Sequence, residues 1–561
     1  MSIPMDLDQV LFGLDSFVAS CEDDTLNADS IYVETYTTLL DQLAVLLRDE
    51  TTRSNDLIRQ NLLKLVHSAG YVLARVDTPG LRPLVLEILR VLANSVADNH
   101  VNRGIIVGDT VFVHQLGKQL EENFDDDEVN ERVLIFLKNL VIDSPDITKV
   151  VASLITKNLL VYTSYENTFL SIDLLTDLVP EYQYDAEVKN IERFAKKFLS
   201  YIQKRDDSDE DEYSEMIVNT AGILEDLTLD QRLDFKDEYH ETSTQESLFQ
   251  CLEQLHPLEF QNKLMAQRKI FGSIGNVSAN PSASNKPLIE DCLKNIQDTR
   301  QENGYILSAS MAIIGNSIGS SADRTNVLER APTLITDVLI KYNYLVDPVQ
   351  FQGLLHILKS IVSFDTISQL FTDDNVKILA QVIEATVRNS KYYTNFTALL
   401  VAFLKKTIVH LGKSQVLKLS HNNIIDSLLS ADSNYEFNTI ILLLINKIAV
   451  YGTETDLQPL VTRALEFKDP NIPASYIFEL TKTVGVLVKN KPEYVFAHHT
   501  EGVITLLNTV QTIISGPNAS DNVSKAIHNN SRFIAGSILA LNKDKEIDPR
   551  LFELCEIFMR A

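Results

Sequence analysis

One short pattern recurs along the chain and limits what it can fold into. An apolar stretch of helical spacing ends near an asparagine, a polar turn follows, and a second apolar stretch begins. The pattern occupies 89–106, 136–151, 271–289 and 309–328, with asparagines at Asn94, Asn139, Asn276 and Asn316. The asparagines are 45, 137 and 40 residues apart, and the long gap fits three steps of about 46. A helical sequence that repeats every 40–47 residues or so is typical of armadillo and HEAT repeats.

The period continues beyond the fourth asparagine while the motif drifts. Ser360, Lys406 and Asn446 follow at steps of 44, 46 and 40 residues. Glycine (19) and proline (16) are scarce in the 561 residues, as suits helices joined by short turns. We therefore predict an all-α fold, an armadillo-repeat (HEAT-like) right-handed superhelical solenoid of about ten to twelve repeats in one continuous stack.

The negative charge is concentrated in the first half. Residues 1–260 hold 49 acidic and 21 basic side chains, whereas residues 261–561 hold 28 and 29. We accordingly divide the stack into acidic repeats (1–260) and repeats of near-neutral charge (261–561). A strongly negative surface repels nucleic acid and attracts basic partners. The densest acidic runs, 121–128 and 206–215, are predicted to be solvated loops.

The sequence lacks the patterns of enzymes and membrane proteins. No phosphate-binding glycine loop, nucleophile motif or metal-binding pair is present, and His498 and His499 are adjacent, so they would point apart on a helix. Four separate cysteines predict a reducing compartment. The start of the chain is acidic, unlike a targeting signal, and no apolar run approaches about 18 residues. We expect a cytoplasmic protein without membrane insertion, cofactor, metal or covalent catalysis.

The recurring asparagine has two interpretations of similar weight. Its amide can project into a groove and hold an extended peptide, or it can tie its own helix end to the following turn. The common period favours the groove. The same period places six carboxylates near the groove edge, where they would suit a run of basic side chains. The predicted partner-binding residues are Asn94, Asp98, Asn139, Asp143, Asp173, Asp177, Glu225, Asp226, Asn276 and Asn316.

The segments LANSVADNHVNR, GNVSAN and GNSIGSSADR, the missing tryptophan and the acidic first half resemble the small-GTPase GDP dissociation stimulator (SmgGDS) family, in its fungal bud-emergence branch. The resemblance implies an armadillo protein that binds Rho-type small GTPases with polybasic, prenylated tails. It also implies a chaperone and guanine-nucleotide exchange factor in cell polarity signalling. Its acidic groove would take the tail, and the four asparagines would form the binding patch.

Two alternatives compete with this interpretation. A nuclear-import adaptor also binds basic peptides on an armadillo groove, but such grooves pair asparagine with tryptophan, and this chain has no tryptophan. A general armadillo scaffold without GTPase specificity is the second alternative. We expect a monomer that binds no nucleic acid.

Overall fold

A computed structural model of the chain describes most of its residues. The described ranges are 6–26, 30–78, 80–122, 126–162, 164, 166–182, 187–203, 210–230, 233–432, 434–466, 472–516, 521–541 and 547–560. Within these ranges every regular element is a helix, which confirms the all-α prediction. The chain divides into two compact units, unit 1 (residues 1–284) and unit 2 (residues 285–561).

Unit 1 contains fourteen α-helices in the ranges described. They are α1 (Leu7–Glu22), α2 (Ser30–Leu46), α3 (Glu50–Arg53), α4 (Asp56–Leu73), α5 (Arg82–Val96), α6 (His100–Val107), α7 (Thr110–Glu121), α8 (Asp127–Val141), α9 (Pro145–Val161), α10 (Thr168–Leu178), α11 (Val188–Gln203), α12 (Glu210–Thr228), α13 (Glu238–Leu255) and α14 (Lys263–Ala279). A 3₁₀ turn at Val179–Glu181 follows α10.

Unit 2 contains seventeen α-helices in the ranges described. They are α15 (Ile289–Gln297), α16 (Gly304–Ser317), α17 (Ser321–Arg330), α18 (Leu334–Ile340), α19 (Phe351–Ile361), α20 (Ile367–Leu370), α21 (Asn375–Asn389), α22 (Thr394–Val409), α23 (Lys413–His421), α24 (Ile424–Leu429), α25 (Tyr435–Tyr451), α26 (Glu454–Glu466), α27 (Ala474–Asn490), α28 (Pro492–His498), α29 (Thr500–Ile514), α30 (Asn522–Leu541) and α31 (Pro549–Arg560). Short 3₁₀ turns lie at Lys286–Leu288, Lys341–Tyr344 and Pro348–Gln350.

The longer helices of each unit pack in two parallel rows. In unit 1 a front row runs α2, α5, α8, α10, α12 and α14, and a back row runs α1, α4, α7, α9, α11 and α13. In unit 2 the front row is α16, α19, α22, α25, α27 and α30, and the back row is α15, α18, α21, α24, α26 and α29. Each helix contacts its predecessor in its own row, as stacked repeats require.

The core lies between the rows and repeats with the helices. Leu92 of α5 and Leu137 of α8 are fully buried at matching places, 45 residues apart. Burying a leucine side chain contributes about 1.5–3 kcal/mol, so each repeat depends on its neighbours for most of its stability. None of the described helices is long and apolar enough to cross a membrane.

The two acidic runs are more helical than predicted. Helix α12 begins at Glu210, so residues 210–215 are its first turns, and residues 204–209 lie outside the described ranges. Of the other run, Asp126 caps α8 by accepting a hydrogen bond from Val129 N at 3.2 Å, and Asp126 and Glu128 both pair with Arg82 of α5. The solvated-loop prediction is therefore wrong for Glu121, which ends α7, for 126–128 and for 210–215, while residues 123–125 lie outside the described ranges. Carboxylates in a first helical turn stabilise it through the helix dipole.

Candidate partner-binding surface

The recurring asparagines of unit 1 tie neighbouring front-row helices together. Asn94 Nδ2 donates to Ala44 O at 2.8 Å, and Asn139 Nδ2 donates to Ala93 O at 3.4 Å. Ala44 lies in the last turn of α2, and Ala93 lies in the last turn of α5. The last four carbonyls of a helix have no hydrogen-bond donor within the helix. Each asparagine therefore provides a donor from the next repeat to one of these carbonyls.

Asn276 repeats this arrangement at the end of α12. Its Nδ2 donates to Glu225 O at 3.3 Å and to Thr228 Oγ1 at 3.2 Å. In all three cases the asparagine side chain donates to the preceding front-row helix, not to its own turn. A structural role thus accounts for three of the four predicted asparagines, and their contact with a partner stays a prediction.

Lysines make the same tie in unit 2. Lys406 Nζ of α22 donates to Lys359 O at 2.8 Å, and Lys447 Nζ of α25 donates to Val409 O at 2.8 Å. Both acceptors lie in the last turn of the preceding front-row helix, where the helix dipole favours a cation. Ser360 instead bonds His356 O of its own helix. Asn316 lines a cavity of unit 2.

Asp98 and Asp143 occupy equivalent turns, each four residues after its asparagine. Their φ angles are 51° and 52°, in the left-handed region. Asp and Asn tolerate this conformation better than most residues because their short side chains can hydrogen-bond locally. Both residues are exposed, and neither forms an ion pair with any described residue. Backbone geometry therefore explains the residue type, while both carboxylates remain accessible.

Arg103 lies between these two turns. It is buried, and it donates to Val96 O at 3.0 Å, Ile142 O at 2.5 Å and Ser144 Oγ at 3.0 Å. Burial lowers the pKa of Arg103, and the Asp98 and Asp143 carboxylates oppose that shift. The structure thus places Asp98 and Asp143 near the same guanidinium, which donates its hydrogen bonds to neutral oxygens.

Asp173 and Asp177 meet one cation. Lys138 Nζ of α8 contacts Asp173 Oδ2 at 2.9 Å and Asp177 Oδ2 at 2.7 Å on the next front-row helix, α10. Burial opposes the charge of Lys138, but the bonds from Asp177 and Asp173 prevail and raise its pKa. One positive charge therefore offsets half of this carboxylate pair.

Glu225 is also paired internally. Its carboxylate contacts Lys269 Nζ of α14 at 3.3 Å, and burial, opposed by that lysine, raises the pKa of Glu225. The Glu225 carboxylate lies directly over Gly272 of α14, where a Cβ would displace it. The adjacent Asp226 is exposed and forms no ion pair with the described residues.

The six predicted carboxylates therefore form two groups. Asp98, Asp143 and Asp226 are exposed and unpaired within the described chain, whereas Asp173, Asp177 and Glu225 hold lysines of neighbouring helices. Sequence reasoning missed Arg103, Lys138 and Lys269, although Lys138 directly precedes a recurring asparagine. We call the three exposed residues the acidic triad.

No group of three or more metal-ligating side chains occurs among the described residues. The four cysteines are buried and unpaired. Burial raises the pKa of each thiol, to about 11 for Cys21 and about 12 for Cys292 and Cys555. Thiols of this kind stay protonated and unreactive at neutral pH.

Comparison with known proteins identifies the family of the chain. The BEM4 C-terminal domain family matches residues 246–558, and the BEM4 N-terminal domain family matches residues 5–228. The chain belongs to the BEM4 family. The expected membership of the fungal bud-emergence branch is thereby confirmed. The two family domains are divided by sequence similarity, and units 1 and 2 are divided by compactness. Our division at residue 260 was based on charge, which neither of these criteria tests, so it stays a prediction.

The chain is similar to the GTPase-GDP dissociation stimulator BEM4 of Saccharomyces cerevisiae. It is 25% identical over an alignment of 632 residues that covers 96% of this chain and 97% of the relative. Among solved structures, SYS-1 is similar with a TM-score of 0.52 and 10% identity, over 96% of this chain and 99% of SYS-1. This likeness and the helical rows confirm the armadillo-repeat fold.

Proposed function

We propose that this BEM4-family chain binds and regulates Rho-family small GTPases and recognises their polybasic, prenylated C-terminal tails. It would act as a chaperone and guanine-nucleotide exchange factor in cell polarity signalling. The name of the yeast relative supports a role in GDP dissociation. The observation that carries the proposal is the acidic triad, three exposed carboxylates that pair with no described residue, in the half of the chain with 49 acidic and 21 basic residues.

Charge explains how such a surface selects a tail. One exposed ion pair contributes only about 0.2–1 kcal/mol, so recognition depends on several carboxylates acting together on several lysines. The long-range field of the first half adds steering during encounter, and salt weakens both contributions. A prenyl group would add about 0.8 kcal/mol per buried CH₂.

Exchange requires no catalytic side chain. The protein must bind the nucleotide-free GTPase more tightly than the loaded form, and a coupling free energy of about 1–3 kcal/mol is typical of such linkage. Nucleotide release would then follow from binding alone, which fits a helical stack without metal-ligating clusters in its described residues.

The test compares two charge-matched triple variants of the full chain. Asp98→Asn, Asp143→Asn and Asp226→Asn together remove the acidic triad. Glu329→Gln, Asp365→Asn and Glu436→Gln remove three exposed carboxylates of unit 2 that form no ion pair among the described residues. Fluorescent GDP release and binding are measured for a panel of Rho-family proteins, each with and without its tail.

We expect the triad variant to weaken tail-dependent binding about tenfold at low salt, and the unit 2 variant to change it less than twofold. Removal of the tail should abolish the difference between the variants. Undiminished binding to tail-less GTPases by the unmodified chain would refute tail recognition. Absence of binding to every GTPase in the panel would favour a general scaffold.

A further inference from the structure

A cavity of about 590 Å³ in unit 2 is lined on several sides by cations. It lies among α16, α17, α19 and α22, and its lining includes Asn316, Arg324, His356, Lys359 and Lys406. This volume falls within the range of about 300–1,000 Å³ typical of small-ligand sites. None of the residues that line it, all of which are described, is acidic.

Within the described part of the chain, none of the three cations forms an ion pair with a carboxylate. Arg324 Nε donates to Ser360 O at 3.2 Å, and Lys406 Nζ donates to Lys359 O at 2.8 Å, so both cations bond neutral carbonyls. Lys359 Nζ forms neither a hydrogen bond nor an ion pair with a described residue. Burial and then the charges of Arg324 and Lys359 lower the pKa of Lys406, as expected of a group surrounded by positive charge.

His356 adds an unused polar atom to the cavity. Its Nε2 atom is buried and has no hydrogen-bond partner among the described residues. Burial, reinforced by Lys359, lowers the pKa of His356 to about 4, so the ring is neutral at pH 7 and can still donate one hydrogen bond. A Cβ at Gly315 would collide with this ring, so the glycine gives His356 its place beside the cavity.

We propose that this cavity is a binding site for a phosphate monoester or free phosphate, held by Arg324, Lys359 and Lys406 with His356 as a neutral donor. A buried polar group without a partner is destabilising, and so are like charges held close together, so a ligand of opposite charge relieves both. A phosphoryl group carries a charge of roughly −1.5 to −2 at pH 7 and three acceptor oxygens. A single carboxylate would leave most of the positive charge uncompensated.

The site is independent of the acidic triad, because all its residues belong to unit 2. It also gives the near-neutral half of the chain a recognition chemistry opposite to that of the acidic half. The ligand could be a phosphorylated side chain of a protein segment or a small free phosphate, and the two share the group that is recognised.

Calorimetric titration of the full chain at constant ionic strength tests the proposal. The probes are inorganic phosphate, a short phosphoserine peptide, the same peptide unphosphorylated, and acetate. We expect Lys359→Gln to weaken binding of phosphate and phosphopeptide about tenfold or more, because one of three cations is lost and no described contact is broken. Lys405→Gln, an exposed neighbour of Lys406 outside the cavity, should change binding less than twofold.

Arg324→Lys serves as a second variant that keeps the charge but loses the planar donor fork, and we expect an intermediate loss. Tighter binding of the phosphopeptide than of inorganic phosphate would support the site and identify a phosphorylated protein segment as its source. Equal binding of the two would support the site and identify free phosphate. Equal binding of acetate and phosphate, equal affinities of the Lys359→Gln and Lys405→Gln variants, or no binding of either phosphate probe would overturn the proposal.

Discussion

The two units solve the same structural problem with different donors, neutral in unit 1 and cationic in unit 2. In unit 1, Asn94 and Asn139 supply a partner for the carbonyls that end the preceding front-row helix. In unit 2, Lys406 and Lys447 supply it. An amide satisfies the carbonyl without adding charge, whereas a lysine adds a cation where the helix dipole favours one. The choice of donor therefore contributes to the difference in charge between the halves.

The two units also differ in which charged side chains remain available to ligands. Three predicted carboxylates of unit 1 are paired with lysines, and the acidic triad is exposed. In unit 2 the lysine that completes the tie also lines a cavity without carboxylates. A position that serves packing in one repeat can thus contribute to recognition in another.

The largest expected effect concerns two arginines that cap front-row helices. Arg103→Ala removes three hydrogen bonds from a buried guanidinium, and charged hydrogen bonds contribute about 1.5–3 kcal/mol each. We expect unit 1 to lose about 3 kcal/mol or more of unfolding free energy. Arg324→Ala removes one such bond from a half-buried residue and should cost unit 2 about 1 kcal/mol. Urea denaturation followed by hydrogen exchange in each unit measures both, and equal losses would contradict this comparison.

The second prediction concerns Lys197 of unit 1. Unlike Lys406 of unit 2, which donates to a carbonyl, Lys197 has no hydrogen-bond acceptor among the described residues. Lys197 Nζ is buried without a hydrogen-bond partner in the described chain, 5.7 Å from the ring centres of Tyr162 and Tyr201. Burial lowers the pKa of Lys197 to about 7. We expect Lys197→Met to raise the unfolding free energy by about 1–3 kcal/mol at pH 6.

The pH dependence of this gain follows from proton binding. Lys197 has a pKa of about 7 when folded and about 10.4 when unfolded, so the unfolded chain binds more protons between these values. The unmodified protein should therefore become more stable as the pH rises from 7 to 10, and the advantage of methionine should shrink. Lys196→Met, beside it but paired with Glu192, is the control and should destabilise. A gain independent of pH would contradict the assignment.

The third prediction concerns the asparagine tie itself. Asn94→Ala leaves the Ala44 carbonyl without this donor, and we expect unit 1 to lose about 1–2 kcal/mol of unfolding free energy. Asn61 is the matched control, because its amide forms an exposed hydrogen bond to Leu57 O within its own helix. Denaturant midpoints should shift clearly for Asn94→Ala and hardly for Asn61→Ala. Similar shifts would show that the tie contributes little.

The smallest expected effect tests how the lysines of unit 1 limit its acidity. Lys138→Gln leaves Asp173 and Asp177 without their cation. Since exposed ion pairs contribute about 0.2–1 kcal/mol each, we expect a basic tail peptide to bind about two- to fivefold more tightly at low salt. The enhancement should vanish at high salt. Fluorescence anisotropy measures this change, and weaker binding would place these carboxylates outside the peptide-binding surface.

Much of the fold could be predicted because it depends on local, periodic features. The recurring Asn94, Asn139, Asn276 and Asn316 marked the ends of helices that the structure places at 96, 141, 279 and 317. Apolar spacing between them was enough to predict helices. The acidic runs were harder to predict, because carboxylates are common both in loops and in the first turn of a helix. Asp126 caps α8 and Glu128 lies in its first turn, and both pair with Arg82, which is 44 and 46 residues away in sequence.

The sequence by itself determined the helical repeat, its period and the uneven charge, since each is a property of neighbouring residues or of composition. Only the tertiary structure decided which charged groups are paired and which are accessible. Lys138 holds Asp173 and Asp177 because α8 packs on α10, and Arg324, Lys359 and Lys406 surround one cavity because their helices stack. Ion pairing depends on distances of a few ångströms between residues one repeat apart, and a repeat period alone does not fix those distances.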